Sequence, residues 1–263
     1  MEPWQIIVAL IQGLVEWLPI SSEGQVVLFA YNIGSVPQSE IVSLVAWLHL
    51  GTALAVIARY PRVILEVLTL KDRTLFRLLL IATVSTAVTA IPLYLFLKES
   101  FLVIHGEILN IIVGALLLVT AIALYLPSRE TTDSSGQTDD PDMLEATTAG
   151  LVQGVAVLPG LSRSGVTISA LLMLRVDRET AFRFSFLMSV PAVIGILIVE
   201  VLTGNTIPPS IALVDFLLME IIVFITGLLS METLLRLARR VSFWKLCLIL
   251  SLAAISFGVP ALL

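Results

Sequence analysis

The stretch QGLVEWLPISSEGQ, residues 12–25, decides how the rest of the chain folds. It lies inside an apolar run that looks ready to cross a membrane. Yet it places Gln12, Glu16, Pro19, Ser21, Ser22, Glu23 and Gln25 where a lipid-spanning helix carries leucines. An ionisable side chain at bilayer depth costs about 2.5–3.5 kcal/mol even on lenient scales. Pro19 removes a backbone donor and predicts a helix ending near residue 18. The segment therefore needs a place shielded from lipid.

The surrounding chain supplies that lipid context. Of its 263 residues, 58% are hydrophobic and 13% are charged, with a mean hydropathy of +1.03. A soluble domain is about 45–50% apolar and roughly 25% charged. The apolar segments approach the roughly 20 residues needed to cross about 30 Å of hydrocarbon, and they lack strand-like alternation. The expected class is an all-α integral membrane protein with no large soluble domain. Six segments are long enough to cross: about 40–59, 76–97, 107–127, 181–202, 213–235 and 244–262. Residues 3–36 and 146–175 are broken near their middles by Pro, Gly and Ser, and each is expected as a re-entrant helical hairpin. No basic residue precedes the first apolar run, so no cleavable signal is expected. Cys247 sits in an apolar segment and is expected to pack.

Orientation follows the basic residues. Thirteen of the 15 Lys and Arg fall on one face of this topology, and residues 1–58 contain none. By the positive-inside rule those thirteen face the cytoplasm, and both termini and the first hairpin face outward across the plasma membrane. The polar run 128–145 is expected as a cytoplasmic linker between two halves, 1–127 and 146–263.

Those halves repeat. QGLVEWLPISSEG (12–24) aligns without gaps to QGVAVLPGLSRSG (153–165), matching Gln12 with Gln153, Gly13 with Gly154, Ser21 with Ser162 and Gly24 with Gly165. Three spans follow each hairpin, so the second copy enters from the opposite side, as in an inverted-topology repeat. The two tips are then expected to meet near the midplane, in protein or a watery cavity.

At the tips, Gln12 and Glu16 share one helix face. Ser21 and Ser22 open the next half-helix as caps, and its N-terminus suits an anion. Ser162, Arg163 and Ser164 repeat the design, with a guanidinium matched to phosphate oxygens. Glu16 offers a base or a cation ligand. The same serines and glycines also suit plain helix packing, and Glu16 with Arg163 also suits a structural ion pair. His49, mid-span, and His105, in an outer loop, are expected as a hydrogen-bonded and a surface histidine. Glu220 is a second-rank candidate. RFSFLMSVPAVIG (183–195) suits packing or a lipid-tail groove.

QGLVEWLPISSEG, PGLSRSGVT (159–167) and RFSFLMSVPA (183–192) together resemble the undecaprenyl-pyrophosphate phosphatase family, the bacitracin-resistance proteins, over essentially the whole chain. The resemblance implies six spans and two re-entrant hairpins. It also implies hydrolysis of a C55-type polyprenyl diphosphate to the monophosphate on the outer side, assisted by Mg²⁺ or Ca²⁺, with Glu16 as the protein ligand. Carried over by position, Gln12 and Glu16 form the E/Q-x-x-x-E pair and Ser22 is the nucleophile. Glu23 is a carboxylate able to supply proton chemistry. Arg163 with Ser21, Gln25, Gly160, Ser162, Ser164 and Thr167 holds the substrate. The family pattern after the serine pair is T-G-H, where this chain has Glu23-Gly24-Gln25, and glutamine does not titrate. The partners expected are the polyprenyl diphosphate and the membrane, with room for a homodimer and none for nucleic acid. A flippase or transporter of an anionic lipid is the other class that facing broken helices serve.

Overall fold

The computed structural model describes residues 1–33, 36–101, 106–129, 141–204, 207–237 and 243–258. Among them every regular element is a helix. The order is α1 (Pro3–Val15), α2 (Ser22–Asn32), α3 (Gln38–Arg59), α4 (Pro61–Leu68), α5 (Arg73–Phe101), α6 (Gly106–Arg129), α7 (Met143–Val155), α8 (Arg163–Met173), α9 (Arg178–Leu202), α10 (Leu213–Leu237) and α11 (Phe243–Gly258). Five of these are long and apolar enough to cross a membrane: α3, α5, α6, α9 and α10. The sixth expected span is α11, apolar and 16 residues long over its described part, with residues 259–263 outside the described residues.

Lipid contact is written on the outer faces. Leu217, Ile221, Ile225 and Leu229 run down one exposed face of α10 at four-residue spacing, and Leu80, Val84, Val88, Ile91 and Leu95 do so on α5 at three- or four-residue spacing. In water such stripes are an aggregation hazard; in hydrocarbon they are the stable surface. The protein is an all-α, multi-pass integral membrane protein.

Both interrupted segments fold as two short helices around a turn, α1–α2 and α7–α8. They are held crosswise: α1 packs on α10 and α7 on α5, while α3 packs on α10 and α9 on α5. With no hydrophobic drive between helices in lipid, such seams rely on small residues and hydroxyl bonds. A Cβ at Gly13 of α1 falls 1.9 Å from Thr226 Oγ1, and one at Gly154 of α7 falls 1.9 Å from Thr89 Oγ1. Ser230 Oγ donates across the first seam to Gly13 O at 2.8 Å. Thr86 and Thr89 donate across the second to Gly150 O at 3.0 Å and Leu151 O at 2.9 Å. Helix α3 is the most buried of the five spans and lies against α2, α9 and α10 at the centre.

The structure corrects several sequence expectations. Helix α1 ends at Val15, not near residue 18, because the chain turns early to insert Trp17, which is fully buried and donates from Nε1 to Gly227 O at 2.8 Å. Helix α7 starts inside the expected linker, since Asp142 and Glu145 form a capping box: Glu145 N donates to Asp142 Oδ1 at 2.9 Å and Asp142 N donates to Glu145. The connection after the first span contains a short helix, α4, started by Pro61 in its first turn. Residues 130–140 of the linker and His105 lie outside the described residues.

Gly154→Ala overpacks the α7–α5 seam and is expected to cost about 1–3 kcal/mol. Gly195→Ala, where an added Cβ meets nothing within 4 Å, is expected to be neutral or to gain a few tenths of a kcal/mol. Thermal unfolding in detergent checks the pair; equal melting temperatures contradict the seam.

Candidate active site

The two turns between half-helices meet in the interior. Ser21 caps α2 from a left-handed backbone conformation (φ 59°), and its Oγ accepts from Gly24 N at 3.1 Å. The same Oγ accepts from Gly160 N of the other tip at 3.0 Å. Gly160 has φ +110°, and a Cβ there would lie 2.6 Å from Val113 O, so only glycine fits. Ser162 caps α8, accepting from Gly165 N at 3.2 Å. Its hydroxyl and that of Ser164 lie 3.3 Å apart and reach back to Leu18 O of the first tip at 3.5 and 3.4 Å. Thr167 Oγ1 donates to Arg163 O at 2.8 Å and lies 2.6 Å from Ser185 Oγ. Ser21, Ser162, Ser164 and Thr167 therefore latch the tips together and brace α8 on α9. Of these residues none lines the cavity described below.

At the junction sits Glu16, the C-cap of α1, almost wholly buried. Its Oε1 accepts from Arg163 Nη2 of the other tip. Its Oε2 accepts from Ser22 Oγ at 2.6 Å and from Gln12 Nε2 at 2.9 Å. One carboxylate thus joins both tips and holds a serine hydroxyl as its donor. Arg163 also lies over the ring of Trp17, 5.6 Å from guanidinium carbon to centroid, a cation–π contact that fixes the fork from below. Trp17 in turn meets Phe186 edge-on at 5.0 Å, so the first part of the Phe-rich run of α9 is core packing under the site, while Ser189, Ala192 and Val193 of the same run line the cavity.

Two features went unread in the sequence. His49 of α3 comes into the site with Nε2 at 3.2 Å from Glu23 Oε1 and 3.5 Å from Glu16 Oε2. It is hydrogen-bonded, as expected, since Nδ1 lies 2.7 Å from Val45 O, but it also faces two carboxylates. The only cue was a titratable ring in mid-span. Trp17, the second, carries no local cue to its partner and serves as the shelf for Arg163.

A cavity rises from this floor. Glu23, His49 and Arg163 lie at its base, and the walls are Val42, Val45 and Ala46 of α3, Ala90, Tyr94 and Leu97 of α5, and Ala192, Val193 and Ile196 of α9. Gln153 also lines it, donating from Nε2 to Thr86 Oγ1 at 3.0 Å. From Thr86 to Leu97 the α5 wall climbs about 16 Å. Arg163 Nη1, Glu23 Oε2 and Gln12 Oε1 are buried with no hydrogen-bond partner among the described residues. Gln25 is half-buried on α2, and its Nε2 too lacks a partner among the described residues. Glu220 of α10 packs against Gly51 of α3, two residues from His49.

The donor set around Glu16 does not fit a resident divalent cation. Both of its oxygens are taken by Arg163, Ser22 and Gln12, and an imidazole and a guanidinium flank it where oxygen ligands are needed. Among the described residues no cluster of three or more His, Cys, Asp or Glu is set to hold a metal ion.

The family model described as bacitracin resistance protein BacA matches residues 5–255. The chain belongs to that family. It is 36% identical over 251 residues to an undecaprenyl-diphosphatase of Methanothrix thermoacetophila, covering 95% of this chain and 94% of the relative. It is 35% identical over 258 residues to one of Methanopyrus kandleri, covering 95% and 94%, and 35% identical over 252 residues to one of Haloarcula marismortui, covering 92% of each.

The latch role of Ser21 is separable from chemistry. Ser21→Ala strips an acceptor from two buried N–H groups and is expected to cost about 1–3 kcal/mol, read as a lower melting temperature, while each folded molecule keeps its activity. An unaltered melting temperature contradicts the latch.

Proposed function

We propose that this protein hydrolyses a C55-type polyprenyl diphosphate to the monophosphate and inorganic phosphate, recycling a lipid carrier at the outer side of the membrane. One observation carries the reading: Arg163 presents a buried Nη1, without a partner among the described residues, at the base of an apolar cavity, and shares the Glu16 carboxylate with the Ser22 hydroxyl. Family membership and the relatives named undecaprenyl-diphosphatase support the substrate class.

The chemistry follows from the residues. Ser22 Oγ attacks the terminal phosphorus while its proton passes to Glu16 Oε2, and the bond to the polyprenyl monophosphate breaks. Water then attacks the phosphoserine, with Glu16 again as base, releasing phosphate and restoring Ser22. Arg163 and the N-termini of α2 and α8, which both begin at the tips, hold the charge on the transferring group. Gln12 orients Glu16. A divalent cation such as Mg²⁺ or Ca²⁺ would supply phosphoryl charge stabilisation if it came with the substrate, and the residues around Glu16 would not hold it.

Two supports favour the outer side. The α5 wall runs from Thr86 toward Lys98, away from the basic Arg73 and Arg77 at the helix start. The α9 wall likewise runs from Ser189 toward Glu200, away from Arg178 and Arg183. The crosswise packing of α1 and α7, with matching glycine–threonine contacts, supports two repeats of inverted topology on either side of the linker.

Purified protein in detergent, supplied with farnesyl or longer prenyl diphosphate, is expected to release phosphate. Arg163→Ala and Ser22→Ala are each expected to lower kcat by about 100-fold or more. Binding or translocation of the lipid with no phosphate released sinks the phosphatase reading in favour of a carrier.

A further inference from the structure

We propose that His49 relays protons between Glu16 and Glu23, carrying the proton of the attacking serine from the sealed floor of the site into the cavity. The proposal rests on the phosphatase reading and adds to it a residue on a helix outside both tip motifs.

The need for a relay follows from enclosure. When the Oγ–phosphorus bond forms, the Ser22 proton passes to Glu16, and the leaving monophosphate departs as the anion. Glu16 must lose that proton before it can serve as base for the water that cleaves the phosphoserine. Its bonded neighbours offer no exit: Arg163 and the Gln12 amide are donors there, and Ser22 is now esterified. The remaining contact is His49 Nε2 at 3.5 Å.

Ring geometry suits the task. Val45 O only accepts, so Nδ1, 2.7 Å away, keeps its proton in every state. Nε2 is then the exchanging atom, and it lies between two carboxylates, 3.2 Å from Glu23 and 3.5 Å from Glu16. Glu16 from α1 and Glu23 from α2 face the ring, with Glu220 from α10 farther off, and Arg163 from α8 faces the same two carboxylates. Nε2 rests between two carboxylate oxygens that can only accept, so in the relay it starts protonated, with Glu16 ionised as the base. In the relay Nε2 gives its proton to Glu23 and takes the one from Glu16. Glu23 lines the cavity with an unpartnered Oε2, so the proton leaves there to water. No proton is gained or lost by the protein over the cycle.

His49 acts through Glu16 and Glu23 and is a positioning residue. His49→Gln keeps a polar side chain that cannot titrate. It is expected to lower kcat about 100-fold, to leave KM within about twofold, and to flatten the pH dependence of kcat. Glu23→Gln is expected to give the same pattern, and the unmutated protein a solvent deuterium isotope effect on kcat. An unchanged kcat and pH profile in His49→Gln overturns the relay. Should that variant not fold, an unchanged kcat in Glu23→Gln with no isotope effect in the parent overturns it instead. If the unmutated protein releases no phosphate, the functional reading falls and the relay with it; if it does and the variants match it, the relay falls alone.

Discussion

A carboxylate and a guanidinium, donated by two chain reversals that enter the protein separately, meet in the interior, the carboxylate almost wholly buried and the guanidinium at the base of the cavity. Removing either charge from water costs several kcal/mol after relaxation. Glu16 and Arg163 offset that cost with each other and with bonds from Ser22, Gln12 and the face of Trp17. The consequence is rigidity of an unusual kind. Each group is held because its alternatives are an uncompensated charge or exposure to hydrocarbon, and the serine between them inherits that fixed geometry.

Everything outside the junction can be understood as scaffolding for it. Half-helices cannot anchor themselves in lipid by hydrophobic burial, so α1 and α7 are seated against full spans through glycine–threonine contacts too close for any Cβ. The serines at the tips spend their hydroxyls on one another's backbone, closing the turns. Among the described residues, the buried atoms left without a partner at the junction and the cavity base include Nη1 of Arg163, Oε2 of Glu23 and the amide oxygen of Gln12. Satisfied latches surround unsatisfied recognition groups, which is how a site is both stable and receptive.

Legibility in the sequence tracks how local each constraint is. The spans were readable because crossing hydrocarbon demands a length and composition that no neighbour can supply. The broken hairpins were readable because Glu16, Pro19 and Arg163 are too costly for lipid. The meeting of residues 16 and 163 was readable only through the internal repeat, since nothing near either residue names its partner. Where a distant contact decides, the reading ran out. The insertion of Trp17 beneath Arg163 shortened α1, the Asp142 cap moved the start of α7, and Val45 with Glu23 turned His49 from an ordinary mid-span histidine into a neighbour of Glu16. Motif positions also concealed a division of labour: Ser21 and Ser22 are adjacent in sequence, yet one latches the tips and the other faces Glu16.

A double-mutant cycle on Glu16→Gln and Arg163→Met, followed by unfolding in detergent, tests the junction most directly. Each single change leaves one buried charge unpaired and is expected to destabilise by about 3–5 kcal/mol, while the double variant loses clearly less than the sum, with a coupling of at least about 1 kcal/mol. Strictly additive losses contradict the account, because they mean the two tips do not share this ion pair.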